Sequence, residues 1–307
     1  MKRCIFIATV LLTALSSGVS AQQQPVYSQY IFNLFAVNPA YAGARDALSA
    51  NAGYRTQWVG FDGAPVTGSF NLHAPLKNKN MGLGLEVVND AVGARNATFA
   101  GAAYAYYLRL DEAGTQKISL GVRAGAVNYR FDWDALEYQN PGDPVAFSTN
   151  GNIWAPNVDF GVMYLAPKTY AGVSVSSLRQ SRITEVAAGD ARLSTALNVQ
   201  AGHIFTLSEN LQLKPFTFLR YDLSGPAQFD LGASALLMNK VWLGAAYRHD
   251  FGAVFSMQLV TGKNLVIGYA YDWALNNLVA VQSGTHEIFL GIDFTVLGQP
   301  RNNVRYY

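Results

Sequence analysis

The chain has 307 residues, of which 50% are hydrophobic and 14% are charged, and its formal net charge is +2. A balance this close to neutral gives no basic patch of the kind that nucleic acids require, so we expect no nucleic-acid partner. The single cysteine, Cys4, excludes a disulfide within the chain and a metal site built from several thiolates.

The first 21 residues have the pattern of a secretory signal peptide. Lys2 and Arg3 precede an apolar run, and a small-x-small cleavage pattern ends at Ala21. A lipoprotein signal would need a cysteine after the apolar run, whereas Cys4 precedes it. We therefore predict that residues 1–21 are a signal peptide cleaved near Ala21. Loss of its two basic residues takes the basic count from 22 to 20, equal to the 20 acidic residues.

Residues 22–45 contain a run of aromatic and amide side chains that does not fit a lipid-facing strand. Asn38-Pro39 is a turn signal inside this run. We predict a short helical or irregular segment, periplasmic or tucked into the mouth of a barrel as a plug. An unstructured periplasmic tail is the alternative, which the aromatic content argues against. The side chains expected to pack there, or to contact a partner, are Tyr30, Asn33, Asn38, Pro39 and Tyr41.

The region from 46 to 296 alternates between apolar and polar residues. Residues 117–126, 227–237 and 285–296 each place apolar side chains on one parity and polar or small side chains on the other. Strands of about 9–11 residues with one apolar face are typical of a transmembrane antiparallel β-barrel, whose apolar face meets lipid. A secreted β-sandwich also alternates, but these strands are too many and too evenly spaced for one sandwich.

Turn-forming residues divide this region into about fourteen strands. We expect six tight turns on the periplasmic side and seven longer loops outside, an asymmetry typical of outer-membrane barrels. Both termini then lie in the periplasm, residues 297–307 form a C-terminal tail, and twelve or sixteen strands remain alternatives. The tight turns are predicted near 77–80, 111–114, 167–168, 208–210, 239–240 and 261–263, and the longer connections near 60–65, 89–94, 131–154, 178–191, 222–226, 250–253 and 274–283.

Export without a membrane-spanning helix favours the bacterial cell outer membrane. After the predicted signal peptide, no stretch reaches the roughly 18 apolar residues that a spanning helix needs. Outer-membrane lipid is therefore an expected partner.

Charged residues of the polar parity are expected to face the lumen of the barrel. Both signs occur, so they can pair across a narrow interior, which favours a closed barrel; an open channel is the alternative. The expected lumen network comprises Arg109, Arg123, Lys214, Arg220, Asp230, Arg248, Asp272 and Glu287, with Glu86, Lys117 and Asp293 on the same parity.

The sequence shows no convergent catalytic pattern. Its four histidines are scattered, and His249 and Asp250 are expected to point to opposite faces of a strand. The acidic loop from Asp132 to Asp143 could hold Ca²⁺ through oxygens, but its spacing departs from that of an EF-hand. We therefore predict no enzyme activity, no cofactor and no metal.

The order of motifs along the chain is similar to that of a known family. The run from Tyr27 through Asn38-Pro39-Ala40-Tyr41-Ala42-Gly43 resembles the opening of the PorP/SprF family of Bacteroidetes outer-membrane proteins. The stretch Tyr54-Arg55-Thr56-Gln57-Trp58-Val59-Gly60-Phe61-Asp62-Gly63-Ala64-Pro65 resembles the second hallmark of that family. Further similar motifs lie at 82–84, 104–108, 213–215, 242–248, 267–272 and 283–288.

The resemblance implies a non-catalytic part in type IX secretion and gliding. The implied partner is a large secreted adhesin with a C-terminal sorting domain, or the ring lipoproteins of the secretion machine in the periplasm. A small-solute outer-membrane channel or transporter is the alternative function. The candidate partner contacts are Tyr30, Asn33, Asn38, Tyr41, Arg55, Trp58 and Asp62, for which bracing of the barrel is an equal alternative.

Overall fold

The computed structural model describes residues 25–45, 47–77, 80–132, 151–183, 192–225, 227–261 and 264–295. The predicted signal peptide, the predicted C-terminal tail and most of the predicted 131–154 and 178–191 loops lie outside these ranges.

The described strands form one antiparallel sheet that closes on itself. β8 and β9 both pair with β10, and every other strand pairs with its neighbours in sequence. β15 also pairs with β1, from Ala47↔Thr295 to Thr56↔His286. The strands are β1 (Ala47–Thr56), β2 (Val66–Pro75), β3 (Met81–Val92), β4 (Arg95–Arg109), β5 (Lys117–Phe131), β6 (Asn152–Ala166), β7 (Thr169–Ser176), β8 (Ala196–His203), β9 (Phe205–Ser208), β10 (Leu211–Asp222), β11 (Gln228–Leu237), β12 (Val241–Arg248), β13 (Gly252–Val260), β14 (Leu265–Ala274) and β15 (Thr285–Thr295).

Two of these strands occupy one position in the wall. β8 and β9 pair with successive parts of β10 and are separated only by Ile204. The backbone N–H of Ile204 donates to the carbonyl oxygen of Lys168 at 2.8 Å, so the interruption stays attached to the neighbouring turn. The wall therefore has fourteen strand positions, and the prediction of a fourteen-stranded antiparallel barrel is confirmed.

The two faces of the wall have the predicted polarity. On β3, Leu83, Leu85 and Val87 point outward and are 47%, 57% and 46% exposed, whereas Glu86 between them is only 3% exposed. Successive side chains of a strand alternate between faces, so apolar residues meet the lipid and polar residues face the lumen. No helix among the described residues has the length and apolar character to cross a membrane.

The two ends of the barrel differ in their connections. We call the end that carries the connections after β1, β3, β5, β7, β10, β12 and β14 the loop end, and the opposite end the turn end. The contrast in length is weaker than predicted. The β3–β4 connection at the loop end is a two-residue turn, since Val92 pairs with Arg95, while the β4–β5 connection at the turn end spans 110–116.

Residues 25–45, which we call the plug, run through the lumen from its loop half to the turn end. The plug contains a 3-10 helix (Tyr30–Phe32), one turn of α-helix (Leu34–Val37) and a second 3-10 helix (Pro39–Tyr41). The first 3-10 helix packs on buried aromatic side chains of β10 and β12, and the later part packs on β4, β6 and β7. The core of the protein therefore lies inside the barrel, between the plug and the wall.

Candidate functional site

Two arginines and three carboxylates form a buried ionic cluster where five strands approach the loop end. Arg55 Nη2 lies 2.7 Å from Asp272 Oδ2, and Arg55 Nη1 lies 3.0 Å from Glu287 Oε2. Arg248 bridges Asp272 Oδ2 and Asp230 Oδ2, both at 2.9 Å. All five residues are at most 5% exposed. Such pairs are stabilising only when the hydrogen bonding around them is complete, because the burial of each charge is costly.

The plug completes that hydrogen bonding. The backbone N–H groups of Ser28 and Gln29 donate to the two carboxylate oxygens of Glu287 at 2.7 and 3.0 Å. Ser28 Oγ donates to Asp272 Oδ1 at 2.7 Å and accepts from Arg55 Nη1 at 3.0 Å. The cluster has three carboxylates but only two arginines. The plug backbone supplies the additional donors, which bind Glu287. We call Ser28, Gln29 and these five charged side chains the anchor cluster.

A second ionic group lies beside the middle of the plug. Arg123 pairs with Glu86 on β3, and its Nε lies 2.8 Å from Asp159 Oδ2 on β6. The guanidinium carbon lies 6.0 Å from the ring centroid of Phe35, and Arg123 Nη1 donates to the carbonyl oxygen of Phe35 at 3.4 Å. This arginine therefore links the wall to the helical turn of the plug.

Lys214 holds the first 3-10 helix from the opposite wall. Its ammonium lies 4.1 Å from the ring centroid of Phe32 and 4.7 Å from that of Trp242. It also donates to the carbonyl oxygen of Ile31 at 3.3 Å. Contacts between a cation and aromatic faces strengthen when water is excluded, and this lysine is fully buried.

Asn38 fixes the plug against β6 and β7. Its Oδ1 accepts from the backbone N–H of Ala40 at 2.9 Å and so caps the second 3-10 helix, with Pro39 at the first position of that helix. Its Nδ2 donates to the carbonyl oxygens of Val173 at 3.2 Å and Val162 at 3.4 Å. The Asn38-Pro39 turn signal is thus also a side-chain clamp onto the barrel wall.

Glycines in the wall make room for this part of the plug. A Cβ placed on Gly121 would lie within 3.0 Å of Ala40, and one on Gly161 within 3.0 Å of Asn38 Oδ1. A Cβ on Gly82 would clash in the same way with the carbonyl group of Ala42. We call the contact of residues 38–42 with Gly82, Gly121 and Gly161 the seat. These wall glycines are required because backbone approaches backbone closely there.

Most of the candidate plug or partner-contact residues are buried inside the barrel. Tyr30, Asn38, Pro39 and Tyr41 are buried between plug and wall, and Arg55 is buried in the anchor cluster. Asn33 is half-buried and accepts from Asn71 Nδ2 at 3.2 Å.

The other two candidates lie apart from the plug, in the loop 57–65. Trp58 is half-buried and Asp62 is exposed. The loop 57–65 is joined to the loop 275–284 by two backbone hydrogen bonds, Val59 N–H to Gly284 O at 2.9 Å and Ser283 N–H to Val59 O at 2.7 Å.

The lumen network differs from expectation at one residue. Arg109 has the lumen parity, but it is the last residue of β4 and is exposed at the turn end, where β3 no longer pairs with β4. The other seven residues are buried in the lumen: Arg123, Lys214, Arg220, Asp230, Arg248, Asp272 and Glu287.

Sequence reasoning missed three kinds of partner. Asp159 has the same parity as Asn157 and Gly161 on β6, so strand alternation could have found it. The backbone donors of Ser28 and Gln29 and the glycines of the seat carry no such signal, because their roles depend on where the plug lies.

The histidines do not converge on one another. His73 Nδ1 accepts from the backbone N–H of Gly43 at 3.2 Å, and His203 Nδ1 lies 2.7 Å from Thr169 Oγ1. His249 and Asp250 were expected to point to opposite faces of a strand, and this expectation was wrong. His249 Nε2 lies 3.3 Å from Asp250 Oδ2. The reason is that both residues lie in a tight turn with Asp250 at φ 58°, not within a strand.

Within the described ranges, no group of three histidine, cysteine or acidic side chains could hold a metal ion. Of the acidic loop considered for Ca²⁺, only Asp132 falls inside those ranges.

Comparison with known proteins identifies the family and the fold. The family model described as type IX secretion system membrane protein PorP/SprF matches residues 19–292. The toluene transporter TbuX of Ralstonia pickettii is 13% identical, with 84% of this chain and 92% of that chain covered at a TM-score of 0.50. The toluene transporter TodX of P. putida is 11% identical, with 84% and 93% covered and the same TM-score. At these identities the likeness concerns the barrel fold alone. No curated protein matches the sequence.

Proposed function

The chain belongs to the PorP/SprF family of type IX secretion system membrane proteins, and from this premise we propose that it is a non-catalytic outer-membrane barrel that binds a secreted surface protein at its loop end. In this orientation the turn end faces the periplasm, as tight turns do in outer-membrane barrels. The proposed partner is an adhesin with a C-terminal sorting domain.

The observation that carries this proposal is an apolar platform outside the barrel. The loops 57–65 and 275–284 are hydrogen-bonded to each other, and they expose Val59 (38%), Phe61 (55%), Val279 (54%) and Val281 (53%). Exposed apolar side chains on loops that are hydrogen-bonded to each other are typical of protein–protein contact surfaces. Asp62 and the half-buried Trp58 lie in the same loop, so two of the candidate contacts fit this surface.

The buried candidates favour bracing over docking. Tyr30, Asn38, Tyr41 and Arg55 are at most 3% exposed and already bonded or packed inside the lumen. A partner could reach them only after the plug moved. We therefore assign them to holding the plug and assign docking to the platform.

Affinity purification from the native host tests the docking role. We would tag the full chain, extract membranes gently and compare the wild type with Phe61→Asp, which places a charge in the platform. Met238→Asp is the matched control, since Met238 is 71% exposed at the turn end. We expect a large secreted protein to co-purify with the wild type and with Met238→Asp, and to be lost from Phe61→Asp.

Other outcomes would redirect the assignment. Recovery of periplasmic ring lipoproteins, lost specifically from Met238→Asp, would place the partner at the turn end and contradict docking at the platform. Recovery of neither partner, together with steady conductance in planar bilayers, would favour the small-solute channel. The plug argues against that channel, because residues 38–42 lie in close contact with the wall glycines in the turn half of the lumen.

A further inference from the structure

A cavity in the loop half of the lumen is used by neither the anchor cluster nor the seat. It measures about 910 Å³ with its open mouth included, and it lies between the start of the plug and strands β3 to β8, β10 and β11. Part of its lining is apolar, including Val88, Phe99 and Val127, and part is polar, including Glu86 and Asn157.

Four residues of the lining have a side-chain oxygen that receives no hydrogen bond from the described part of the chain. These oxygens are Glu86 Oε1, Asn157 Oδ1, Asn198 Oδ1 and Gln228 Oε1. Each of the four residues is more than nine-tenths buried. Buried acceptors are nearly always paired, and four around one cavity suit a bound molecule that brings donors in place of cavity water.

In the lining amides the nitrogens donate to neighbouring side chains, whereas the oxygens receive no hydrogen bond from the described residues. Asn157 Nδ2 donates to Asp159 Oδ1 at 2.9 Å, and Gln228 Nε2 donates to the Asp230 carboxylate at 3.1 Å. A ligand for this cavity must therefore bring N–H or O–H donors.

Glu86 Oε1 is the one carboxylate oxygen among these four acceptors, and a carboxylate favours a cation among such donors. Arg123 pairs with the other oxygen of Glu86 and with Asp159, and Asp159 also accepts from the backbone N–H of Ser177 at 2.9 Å. In the anchor cluster the backbone N–H groups of Ser28 and Gln29 complete the coordination of Glu287 in the same way. Beside Glu86 no such donor is present among the described residues.

We propose that this cavity binds a primary ammonium group carried on an apolar body. The ammonium donates to Glu86 Oε1 and to the amide oxygens beside it, and the apolar body packs on Phe99 and Val127. Arg220 also lines the cavity, so the cation lies on the Glu86 side. A free amine and a lysine side chain of a peptide share this chemistry.

Calorimetric titration of the full chain in detergent micelles tests the proposal with benzylammonium as the probe. Benzyl alcohol lacks the charge, and benzyltrimethylammonium keeps the charge but has no N–H donor. We expect benzylammonium to bind at least tenfold more tightly than either. Glu86→Gln should weaken benzylammonium binding at least tenfold. Glu112→Gln, in an exposed turn at the opposite end, should leave it unchanged.

A second variant keeps the test decisive if Glu86→Gln disturbs the pairing of Arg123. Val127→Phe fills the cavity without changing a charge, and it should also abolish binding while the barrel stays folded by its heat-dependent mobility in gels. Failure of benzylammonium to bind the wild type, or equal binding of benzyl alcohol, would overturn the proposal. Binding that survives Val127→Phe would do so too.

Competition then distinguishes the two sources of the ligand. A blocked pentapeptide with a central lysine and its acetyl-lysine form are titrated against bound benzylammonium. Displacement by the lysine peptide alone points to a peptide side chain, whereas the absence of displacement by either points to a small free amine. Displacement by the acetylated form as well would contradict recognition of the ammonium group.

Discussion

The anchor cluster and the seat hold the two ends of one plug with opposite chemistry. In the anchor cluster, buried charged side chains of the wall bind Ser28 and Gln29 of the plug, with donor–acceptor distances of 2.7 to 3.0 Å. The seat binds residues 38–42 mainly because glycines leave the wall without side chains there. The anchor cluster therefore depends on attractive ion pairs and hydrogen bonds. The seat depends mainly on the absence of wall side chains at its glycines.

This difference predicts how each end fails. Removal of one charge from the anchor cluster leaves its partners buried and unpaired, so the loss is mainly in stability. Addition of a side chain to the seat displaces the plug from the wall, so the loss includes closure of the lumen. Melting temperature and single-channel conductance, measured on the same variants, separate the two.

The largest loss of stability is expected for Arg55→Met. Asp272 and Glu287 would each lose an ion-pair partner inside the barrel, and breaking a buried pair costs about 3 to 5 kcal/mol. The seat and the packing of the first 3-10 helix remain, so conductance should stay low. Urea unfolding in lipid vesicles measures the first effect and planar bilayers the second. An unchanged unfolding midpoint would mean that the anchor cluster contributes nothing.

Gly121→Val should destabilise less but open the lumen. Overpacking costs typically about 1–3 kcal/mol, and the new side chain meets the backbone at Ala40, which cannot move aside without lifting residues 38–42. Gly68→Val is the matched control, because a Cβ at Gly68 meets nothing within 4 Å. We expect conductance from Gly121→Val only. Equal conductance from both variants would contradict the seat.

The anchor cluster and the seat also differ in how far they can be predicted from the sequence. Strand alternation fixes which face of β3 or β15 meets lipid, so barrel type and strand number follow from a local rule. Parity likewise places Arg123 and Asp272 in the lumen. It fails at Arg109 because parity carries no information on depth along the barrel, and this residue is the last of β4 at the turn end.

The path of the plug was the part that sequence reasoning could not reach. Asn38-Pro39 predicts a turn, but no local rule says that Asn38 reaches β6 and β7, more than 120 residues away. The strand pattern around Gly121 likewise gives no sign that the plug backbone at Ala40 approaches it closely. The role of the wall glycines can be recognised only when the position of residues 38–42 is known, and the reverse also holds.

Asn38 offers a finer test of the seat. Asn38→Ala removes the helix cap and both donated hydrogen bonds, for which we expect a loss of about 1–2 kcal/mol. Asn38→Asp keeps the capping oxygen but turns a second oxygen toward the carbonyl groups of Val162 and Val173. It should therefore destabilise more than Asn38→Ala in urea unfolding. The reverse order would mean that capping, not the clamp onto the wall, is the main role.

The smallest effect is expected where neither end of the plug is touched. In the β4–β5 turn, Asp111 accepts from Thr115 Oγ1 and from the backbone N–H of Gln116 at 2.8 Å, and these donors hold the pKa of its carboxyl below the ordinary value of 3.8. Because the folded pKa lies below the unfolded one, the stabilisation is complete above the unfolded pKa and is lost as pH falls through the folded pKa. Asp111→Asn should lower the melting temperature slightly at neutral pH, and the difference from the wild type should disappear once the pH falls below the folded pKa of Asp111. Its conductance should equal that of the wild type, because this turn lies outside both the anchor cluster and the seat. A change in conductance would show that the turn end is coupled to the plug through contacts other than the seat.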